Sequence, residues 1–492
     1  MKLLVSNILL VLAAVSACYL VFAIFRNGEW LIALSVLMVS AAAIFTYGHP
    51  RAYTWRYLFP GLFGFSAFVI LPLVYTVYIA FTNYSGANLL SREQVRHFFE
   101  EETVLTSKSM YNFEVFGAPG SGTIYLYPAD ADQGYTARWQ GDATQLTARP
   151  GHPPSGAPWP IKRVWKSRIQ LAALEVRIPD GKVYRMIKLR QFGARTNLWI
   201  PHGDAFTNRI TGEKVKPDDA TGFYRNRRGE SVGPGYTVLV GLKNFIRVMT
   251  DPGLKGPFLK IFAWNLSFAF LSVLLTFGLG MFLAVLLEWE SLAGRKIYRT
   301  LLILPYAVPA FLSIMIFKGL FNPNFGDIND LLQNLIGIRP EWTTNPWLAR
   351  TMIIIVNTWL GFPYMMILCT GVLQSIPKNL YEASAVDGAG ALTNFFRITM
   401  PLVLKPLRPL LIASFAFNFN NFSVIYLLTK GNPDMVGAST IAGQTDILVS
   451  YTYRIAFNDA AADFGLASAI GTLLFLLVGG LSWLNLKMSR ST

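Results

Sequence analysis

The sequence is poor in charge, histidine and cysteine. Of its 492 residues, 14% are Asp, Glu, Lys or Arg, whereas 53% are hydrophobic, and the mean hydropathy is +0.39. The two cysteines, Cys18 and Cys369, lie in apolar stretches, so no disulfide framework is predicted. The four histidines form no cluster at metal-ligand spacing, and no Gly-x-x-x-x-Gly-Lys-Ser/Thr phosphate loop is present. We therefore expect no enzyme, no metal site and no cofactor bound by this chain.

Positive charge exceeds negative charge, and the formal net charge is +15. Such an excess is compatible with nucleic-acid binding. The densest basic cluster is Arg225, Arg227 and Arg228. Its simplest interpretation is a solvated turn, and the alternative is a docking surface for an acidic partner. We expect no nucleic-acid partner.

Long apolar runs recur on both sides of a polar central segment. A run of about 18 or more apolar residues is long enough to cross a bilayer as a helix. Eight such runs lie near residues 3–25, 30–47, 57–82, 258–287, 300–321, 351–374, 403–428 and 463–486. The first is expected to be retained, because the second follows after only residues 26–29 and no clear cleavage sequence separates them. The predicted fold class is a polytopic α-helical membrane protein with about eight transmembrane helices.

A polar segment interrupts the apolar runs after the third. Residues 84–256 are rich in Gly and Pro, and stretches such as 123–127 and 174–178 alternate in polarity. Alternation with β-branched and aromatic residues predicts strands, and an unstructured connection of this length is uncommon. The expected domains are helices one to three at 1–83, a mostly β insert at 84–256, and helices four to eight at 257–492.

Basic residues in the short loops predict the orientation. Lys and Arg concentrate in the loops on one side of the eight runs, as at Arg51, Arg295, Lys378 and Lys487. The positive-inside rule assigns that side to the cytoplasm. With eight spans, both termini are expected in the cytoplasm. The β insert is then expected on the other side, because long domains cross regardless of their charge.

A short polar stretch, 378–401, lies between the sixth and seventh apolar runs. Residues 381–390 read YEASAVDGAG, and residues 398–401 read ITMP. A carboxylate suits the first turns of a helix, and Gly388 permits a sharp turn. Pro401 is expected to end the element. The pattern resembles the loop with which importer-type ABC transporter permeases dock into a cleft on their ATPase, and the alternative is an ordinary interfacial helix. The resemblance implies ATPase coupling by Glu382, Ala383, Asp387, Gly388 and Pro401.

Polar side chains recur within the sixth and seventh runs. Asn357, Gly361 and Tyr364 share one helical face at i, i+4 and i+7, and 414, 418 and 421 repeat that spacing beside several phenylalanines. Polar groups at membrane depth are expensive and usually face a cavity or a partner. Gly361 and Pro363 are expected to loosen the helix. Amides and rings together favour a sugar site, whereas a lone asparagine more often joins two helices.

Several short segments of the sequence indicate a more specific resemblance than the loop alone. Residues 304–309 (LPYAVP), 357–364 (NTWLGFPY), 414–422 and 241–245 (GLKNF) resemble the MalF-type permeases of maltose/maltodextrin ABC importers. The likeness covers essentially the whole chain. It implies a sugar site formed by Tyr306, Asn357, Trp359, Leu360, Gly361, Tyr364, Ser414, Asn418 and Asn421. The family often has Ser where this chain has Ala310.

The resemblance also implies partners and a location. The expected partners are a second permease subunit, a cytoplasmic ATPase homodimer that binds ATP and Mg, a periplasmic sugar-binding protein and the lipid bilayer. The expected location is the bacterial inner membrane. One alternative is an importer for another oligosaccharide, which Ala310 leaves open. Another is an ion-driven secondary transporter or a membrane scaffold. An ion-driven carrier would need an intramembrane carboxylate, and none is central in spans three to eight.

Overall fold

The chain divides into two compact units. This computed structural model describes residues 2–118, 121–128, 133–139, 144–289, 291–459 and 462–490. One unit, called here the membrane unit, contains Met1–Leu89 together with Thr237–Thr492. The other, called the insert, is Leu90–Tyr236.

The membrane unit begins with apolar helices. They are α1 (Lys2–Arg26), α2 (Trp30–Gly48), α3 (Trp55–Phe65) and α4 (Leu71–Ala80). A π-helical turn over Ser66–Ile70 joins α3 to α4, so helical backbone continues from residue 55 to residue 80.

The chain returns to the membrane unit beside the end of α4. The Val240 N–H donates to the Phe81 carbonyl at 2.8 Å, and Thr82 forms an antiparallel bridge with Leu239. The Asn244 amide also donates to the carbonyls of Ala80 and Thr82, at 2.9 and 2.8 Å. These hydrogen bonds hold residues 237–244 against α4. The compact insert is therefore shorter at both ends than the predicted segment 84–256.

The insert is mostly β structure, as predicted. Its helices are α5 (Arg92–Glu101), α6 (Ile161–Lys166) and α7 (Arg168–Ala172). Its strands are β1 (Thr103–Ala118), β2 (Ser121–Tyr127), β3 (Gly134–Arg138), β4 (Gln145–Thr147), β5 (Arg149–Gly151), β6 (Glu175–Arg177), β7 (Val183–Lys188), β8 (Gln191–Asn197), β9 (Trp199–His202), β10 (Ala205–Asn208), β11 (Lys214–Asp218), β12 (Phe223–Arg225) and β13 (Ser231–Val232). The alternating stretches 123–127 and 174–178 lie on β2 and β6.

Two sheets organise the described part of the insert. The larger has the order β4-β6-β7-β8-β1-β2-β3-β5, and the smaller has the order β13-β12-β11-β10-β9. Neighbouring strands are antiparallel except β4 and β6, and Phe113 on β1 lies opposite Leu126 on β2. Ile124, Leu126 and Phe192 are 0% exposed and belong to one hydrophobic core. The apolar positions of the alternating sequence thus form the core of the larger sheet.

The rest of the membrane unit is helical. Its helices are α8 (Lys243–Thr250), α9 (Pro252–Glu288), α10 (Arg295–Ala307), α11 (Ala310–Leu320), α12 (Asp327–Ile336), α13 (Pro346–Leu373), α14 (Lys378–Val386), α15 (Ala391–Asn394), α16 (Met400–Phe419), α17 (Phe422–Leu428), α18 (Leu448–Phe457) and α19 (Phe464–Arg490). Capping residues mark the N-termini of the two longest helices of this part. Asp251 caps α9 and Asn345 caps α13, each followed by a proline at the first helical position.

The described helices match the predicted apolar runs in position, but not all in length. Four helical stretches are long and apolar enough to cross a membrane, namely Trp55–Ala80, Pro252–Glu288, Pro346–Leu373 and Ala391–Leu428. The pair α10 and α11 makes a fifth if it counts as one bent span, and shorter apolar stretches occupy Val11–Arg26, Ile32–Gly48 and Phe464–Gly480. The run near 300–321, expected as one helix, is bent by 93°. Pro309 produces the bend, because it follows the extended residue Val308 and cannot continue the hydrogen-bonding of α10.

Candidate functional site

A cavity of about 740 Å³ lies among α9, α10, α11, α13, α16 and α17, and is called here the central cavity. Eight of the nine residues expected at a sugar site line it. They are Tyr306, Asn357, Leu360, Gly361, Tyr364, Ser414, Asn418 and Asn421. The ninth, Trp359, does not line it: the Trp359 ring packs against Phe317 and Phe362, at centroid distances of 6.0 and 5.7 Å.

Three asparagines in the cavity wall form one hydrogen-bonded group, the asparagine triad Asn357, Asn418 and Asn421. Asn357 Nδ2 donates to Asn418 Oδ1 at 2.8 Å, and Asn421 Nδ2 donates to Asn357 Oδ1 at 3.1 Å. Asn418 Nδ2 donates to the Ser414 carbonyl at 2.8 Å. Asn357 and Asn418 are nearly buried, at 5% and 8% exposed. Their mutual bonds fix the direction of each amide and leave further acceptor and donor capacity toward the cavity.

The triad depends on a break that the helical spacing did not predict. Asn421 was expected on the same helical face as Ser414 and Asn418, but α16 ends at Phe419 and α17 begins at Phe422. Asn421 lies in the intervening turn with φ −75° and ψ 73°, which is not helical. It reaches Asn357 from this turn. The expectation that Asn421 shares a helical face with Ser414 and Asn418 is therefore wrong. Asn421 nevertheless lines the cavity.

Aromatic rings form a second part of the wall. The rings of Tyr306 and Tyr364 are stacked, with centroids 6.4 Å apart and an interplanar angle of 20°. Phe417 also lines the cavity and is 70% exposed. In the sequence, Phe417 is one of several phenylalanines beside the polar residues of the seventh run. The position of Phe417 directly before Asn418 is the sequence feature that could have indicated a place in the cavity wall. Helical spacing alone, however, does not say which phenylalanine faces the cavity.

The bend between α10 and α11 supplies backbone to the cavity. Val308 is extended, with φ −85° and ψ 131°, and Ala307, Val308, Pro309 and Ala310 are lining residues. Irregular backbone at membrane depth is tolerated where it lines a cavity. Ala310 is the first residue of α11, so its methyl group occupies the place where a serine would carry a hydroxyl.

Gly361 allows two helices to approach closely. A Cβ atom at Gly361 would lie 2.7 Å from Thr276 Cγ2 on α9, and one at Gly280 would lie 2.7 Å from Met365 Cβ on α13. Helix α13 continues through Gly361 and Pro363 to residue 373. The expectation that these residues loosen the helix is therefore wrong. Gly361 instead allows α9 and α13 to approach closely in the wall of the central cavity.

The stretch 378–401 forms a helix, a glycine turn and a second helix. Helix α14 ends at Val386, and Gly388 follows with φ +74°, a left-handed conformation that favours glycine. The Gly388 N–H donates to the Ala385 carbonyl at 3.1 Å, and the Ala389 N–H donates to the Ser384 carbonyl at 2.9 Å. This pair of bonds is a Schellman motif. It fixes the direction in which the chain leaves α14.

Four of the five predicted coupling residues lie in one exposed stretch. Glu382, Ala383, Asp387 and Gly388 are exposed, and Val386 between them is 89% exposed. Pro401 differs: helical backbone runs from Ala391 through a π-helical turn at Phe395–Thr399 and on along α16. The expectation that Pro401 ends the element is wrong. Pro401 lacks a backbone N–H, but it lies just after the π-helical turn, where the hydrogen-bonding register of the helix already changes, and the helix continues past it.

A second connection joins α14 to this continuous helix. The hydroxyl groups of Tyr381 and Thr399 are 2.9 Å apart, within hydrogen-bond distance. Thr399 precedes α16, whose other end carries Asn418. The exposed stretch and the asparagine triad therefore lie at the two ends of one helical segment.

Within the described residues, no group of three His, Cys, Asp or Glu side chains is arranged to hold a metal ion.

Comparisons with known proteins give matches along nearly the whole chain. Residues 276–489 match the family model of the binding-protein-dependent transport system inner membrane component, and residues 90–241 match that of the maltose transport system permease protein MalF P2 domain. The chain is 47% identical to the maltose/maltodextrin transport system permease protein MalF of Escherichia coli strain K12, over 96% of this chain and 94% of that protein. The MalF protein of Yersinia pestis is 46% identical, over 97% of this chain and 93% of that protein. Among solved structures, a chain of a bacterial ABC transporter involved in the import of the acidic polysaccharide alginate is 23% identical, with a TM-score of 0.44, and the match covers 51% of this chain and 84% of that chain.

Proposed function

The chain belongs to the MalF family of maltose/maltodextrin transport system permeases, and we propose that it forms the path by which maltose and maltodextrins cross the bacterial inner membrane. It is a transport subunit rather than an enzyme. ATP and Mg are bound by a separate cytoplasmic ATPase homodimer, and this chain supplies the membrane path and the surface on which that ATPase acts.

The observation that carries the proposal is the chemistry of the central cavity. The described lining contains asparagine amides, tyrosines and Phe417, and no Asp, Glu, Lys or Arg. Amides exchange hydrogen bonds with sugar hydroxyls, while rings cover the apolar faces of a pyranose. A volume of about 740 Å³ suits a drug-sized ligand. The uncharged lining favours a neutral sugar over an ion-coupled substrate.

The exposed stretch around Glu382 and Asp387 is the docking element for the ATPase. Closure of the ATPase dimer moves α14, and the Tyr381–Thr399 contact passes this movement to the helical segment that carries Asn418 near its other end. Access to the cavity then alternates between the two sides of the membrane. The proposed topology has both termini in the cytoplasm and the insert in the periplasm, where it meets the sugar-binding protein. A second permease subunit completes the path.

The test is sugar-dependent ATP hydrolysis by the complete transporter. The chain is co-expressed with its second permease and ATPase, reconstituted in vesicles and supplied with sugar-binding proteins for several sugars. Maltose or maltodextrins are expected to stimulate hydrolysis, and Asn418→Ala is expected to reduce that stimulation. Trp359→Ala, tested in parallel, reports whether sugar also contacts the ring that lies outside the cavity lining. Stimulation by an unrelated sugar alone would change the proposed substrate, and ATPase activity insensitive to every sugar would refute the proposal.

A further inference from the structure

One fully buried amide lies behind the central cavity and touches two separate parts of the chain. Asn265 is on α9, is 0% exposed and is not among the lining residues described above. Asn265 Nδ2 donates to the Phe419 carbonyl at 3.0 Å, and Asn265 Oδ1 accepts from the Leu448 N–H at 2.8 Å. Both hydrogen-bonding groups of this side chain are therefore used.

The two partners of Asn265 are both at helix ends. Phe419 is the last residue of α16, and Leu448 is the first residue of α18. The last carbonyls and first N–H groups of a helix have no partner within that helix. A buried backbone group without a partner is costly. Asn265 therefore supplies one acceptor and one donor that the fold needs at these positions.

The position of the Phe419 carbonyl matters for the asparagine triad. Phe419 lies directly after Asn418 and two residues before Asn421, inside the helix break that turns Asn421 toward Asn357. Holding this carbonyl fixes the break. Asn265 thus determines the geometry of the triad without lining the cavity.

Leu448, the other partner of Asn265, directly follows a long connection between two helices. Residues 429–447, called here the connecting segment, join α17 to α18. Trp264, the neighbour of Asn265, donates from Nε1 to the Thr445 carbonyl of this segment at 3.2 Å. Arg350 Nε on α13 donates to the adjacent Gln444 carbonyl at 2.9 Å. The end of the connecting segment is therefore held by α9 and α13, the two helices that approach closely at Gly361.

We propose that Asn265 is a positioning residue for the sugar site, which couples the position of the connecting segment to sugar affinity. This inference rests on the proposed function, since a sugar must occupy the central cavity for the coupling to be observed. Coupling between two sites is reciprocal. Sugar binding must therefore strengthen the bond to Leu448, just as that bond strengthens sugar binding.

The first experiment compares Asn265→Leu, which keeps the branched shape of the side chain and removes both hydrogen bonds, with a matched control. Ser272→Ala is on the same helix, is also 0% exposed, and removes a hydroxyl oxygen that has no hydrogen-bond partner among the described residues. The complete transporter is trapped with ATP and vanadate, and retained radiolabelled maltose is measured against maltose concentration. We expect about tenfold weaker retention for Asn265→Leu, the change that corresponds to about 1.4 kcal/mol, and no change for Ser272→Ala.

The second experiment begins with the unmodified transporter. Hydrogen exchange is followed in the unmodified transporter, with and without maltose, for peptides that contain Leu448 and for peptides spanning 417–423. Maltose is expected to slow exchange in both sets of peptides, and this effect on Leu448 is expected to be lost in Asn265→Leu. Unchanged maltose retention in an assembled Asn265→Leu transporter, or exchange at Leu448 that ignores maltose, would overturn the inference. Failure of the unmodified transporter to retain maltose would instead refute the proposed function.

Discussion

Asn357 and Asn421 share a hydrogen bond of 3.1 Å although Asn357 lies within the continuous helix α13 and Asn421 lies in a helix break. Asn357 also donates to Asn418 at 2.8 Å, so it is the central member of the triad. Removing Asn357 breaks both hydrogen bonds within the triad, whereas removing Asn418 or Asn421 breaks only one of them. We therefore expect the three side chains to act as one unit in sugar binding.

This arrangement predicts non-additive effects in a double-mutant cycle. Asn357→Ala and Asn418→Ala are each expected to weaken maltose retention about tenfold, and the double variant much less than a hundredfold, because contacting residues share one interaction. Retention of radiolabelled maltose by the trapped transporter provides the measurement. Asn420→Ala is the control, since Asn420 Nδ2 bonds only its own helix at the Ala416 carbonyl among the contacts described. Fully additive losses would show that the two amides bind sugar independently.

The order of elements and most residues of the cavity were predictable from sequence, because apolar length and polar interruptions are local signals. The break after Phe419 was not, because no proline or glycine marks it: residues 414–422 read SFAFNFNNF. A contact from another helix, the Asn265 amide, satisfies the carbonyl at that break. Likewise, Gly361 was predicted to loosen α13, but its role depends on Thr276, which lies far away in sequence. Long-range contacts of this kind leave no local pattern.

Gly361 provides a prediction about stability. Gly361→Ala places a Cβ atom 2.7 Å from Thr276 Cγ2, so α9 and α13 must separate or a side chain must leave its rotamer. Overpacking of this kind costs about 1–3 kcal/mol. The matched control is Gly371→Ala on the same helix, where an added Cβ atom meets nothing within 4 Å. Thermal unfolding of the purified transporter should show a lower midpoint for Gly361→Ala only. Equal midpoints for the two variants would mean that the helices are not in close contact at Gly361.

Gly388 provides a prediction about coupling. A side chain at φ +74° costs about 1–2 kcal/mol, so Gly388→Asp should disrupt the Schellman motif that ends α14. We expect membrane insertion to persist, while maltose-stimulated ATP hydrolysis and transport in vesicles fall severalfold. Gly390→Asp adds the same charge at an N-cap position with φ −77°, where Asp is favoured. It should retain coupling. Loss of coupling in both variants would attribute the effect to charge rather than to backbone conformation, and normal transport by Gly388→Asp would refute the docking assignment.

Ala310 provides a prediction of improved binding. It lines the central cavity at the first residue of α11, and Ser at this position would direct a hydroxyl group toward a bound sugar. One neutral hydrogen bond contributes about 0.5–1.5 kcal/mol, so Ala310→Ser is expected to tighten maltose retention about two- to tenfold. Ala310→Val is the control for added volume, because it enlarges the side chain without a hydroxyl, and it should weaken retention or leave it unchanged. The comparison is made with maltose and with other oligosaccharides at equal concentrations. If Ala310→Ser improves retention of a different oligosaccharide but not of maltose, the substrate of this transporter is a sugar other than maltose. If Ala310→Ser changes the retention of no sugar, residue 310 does not contact the sugar.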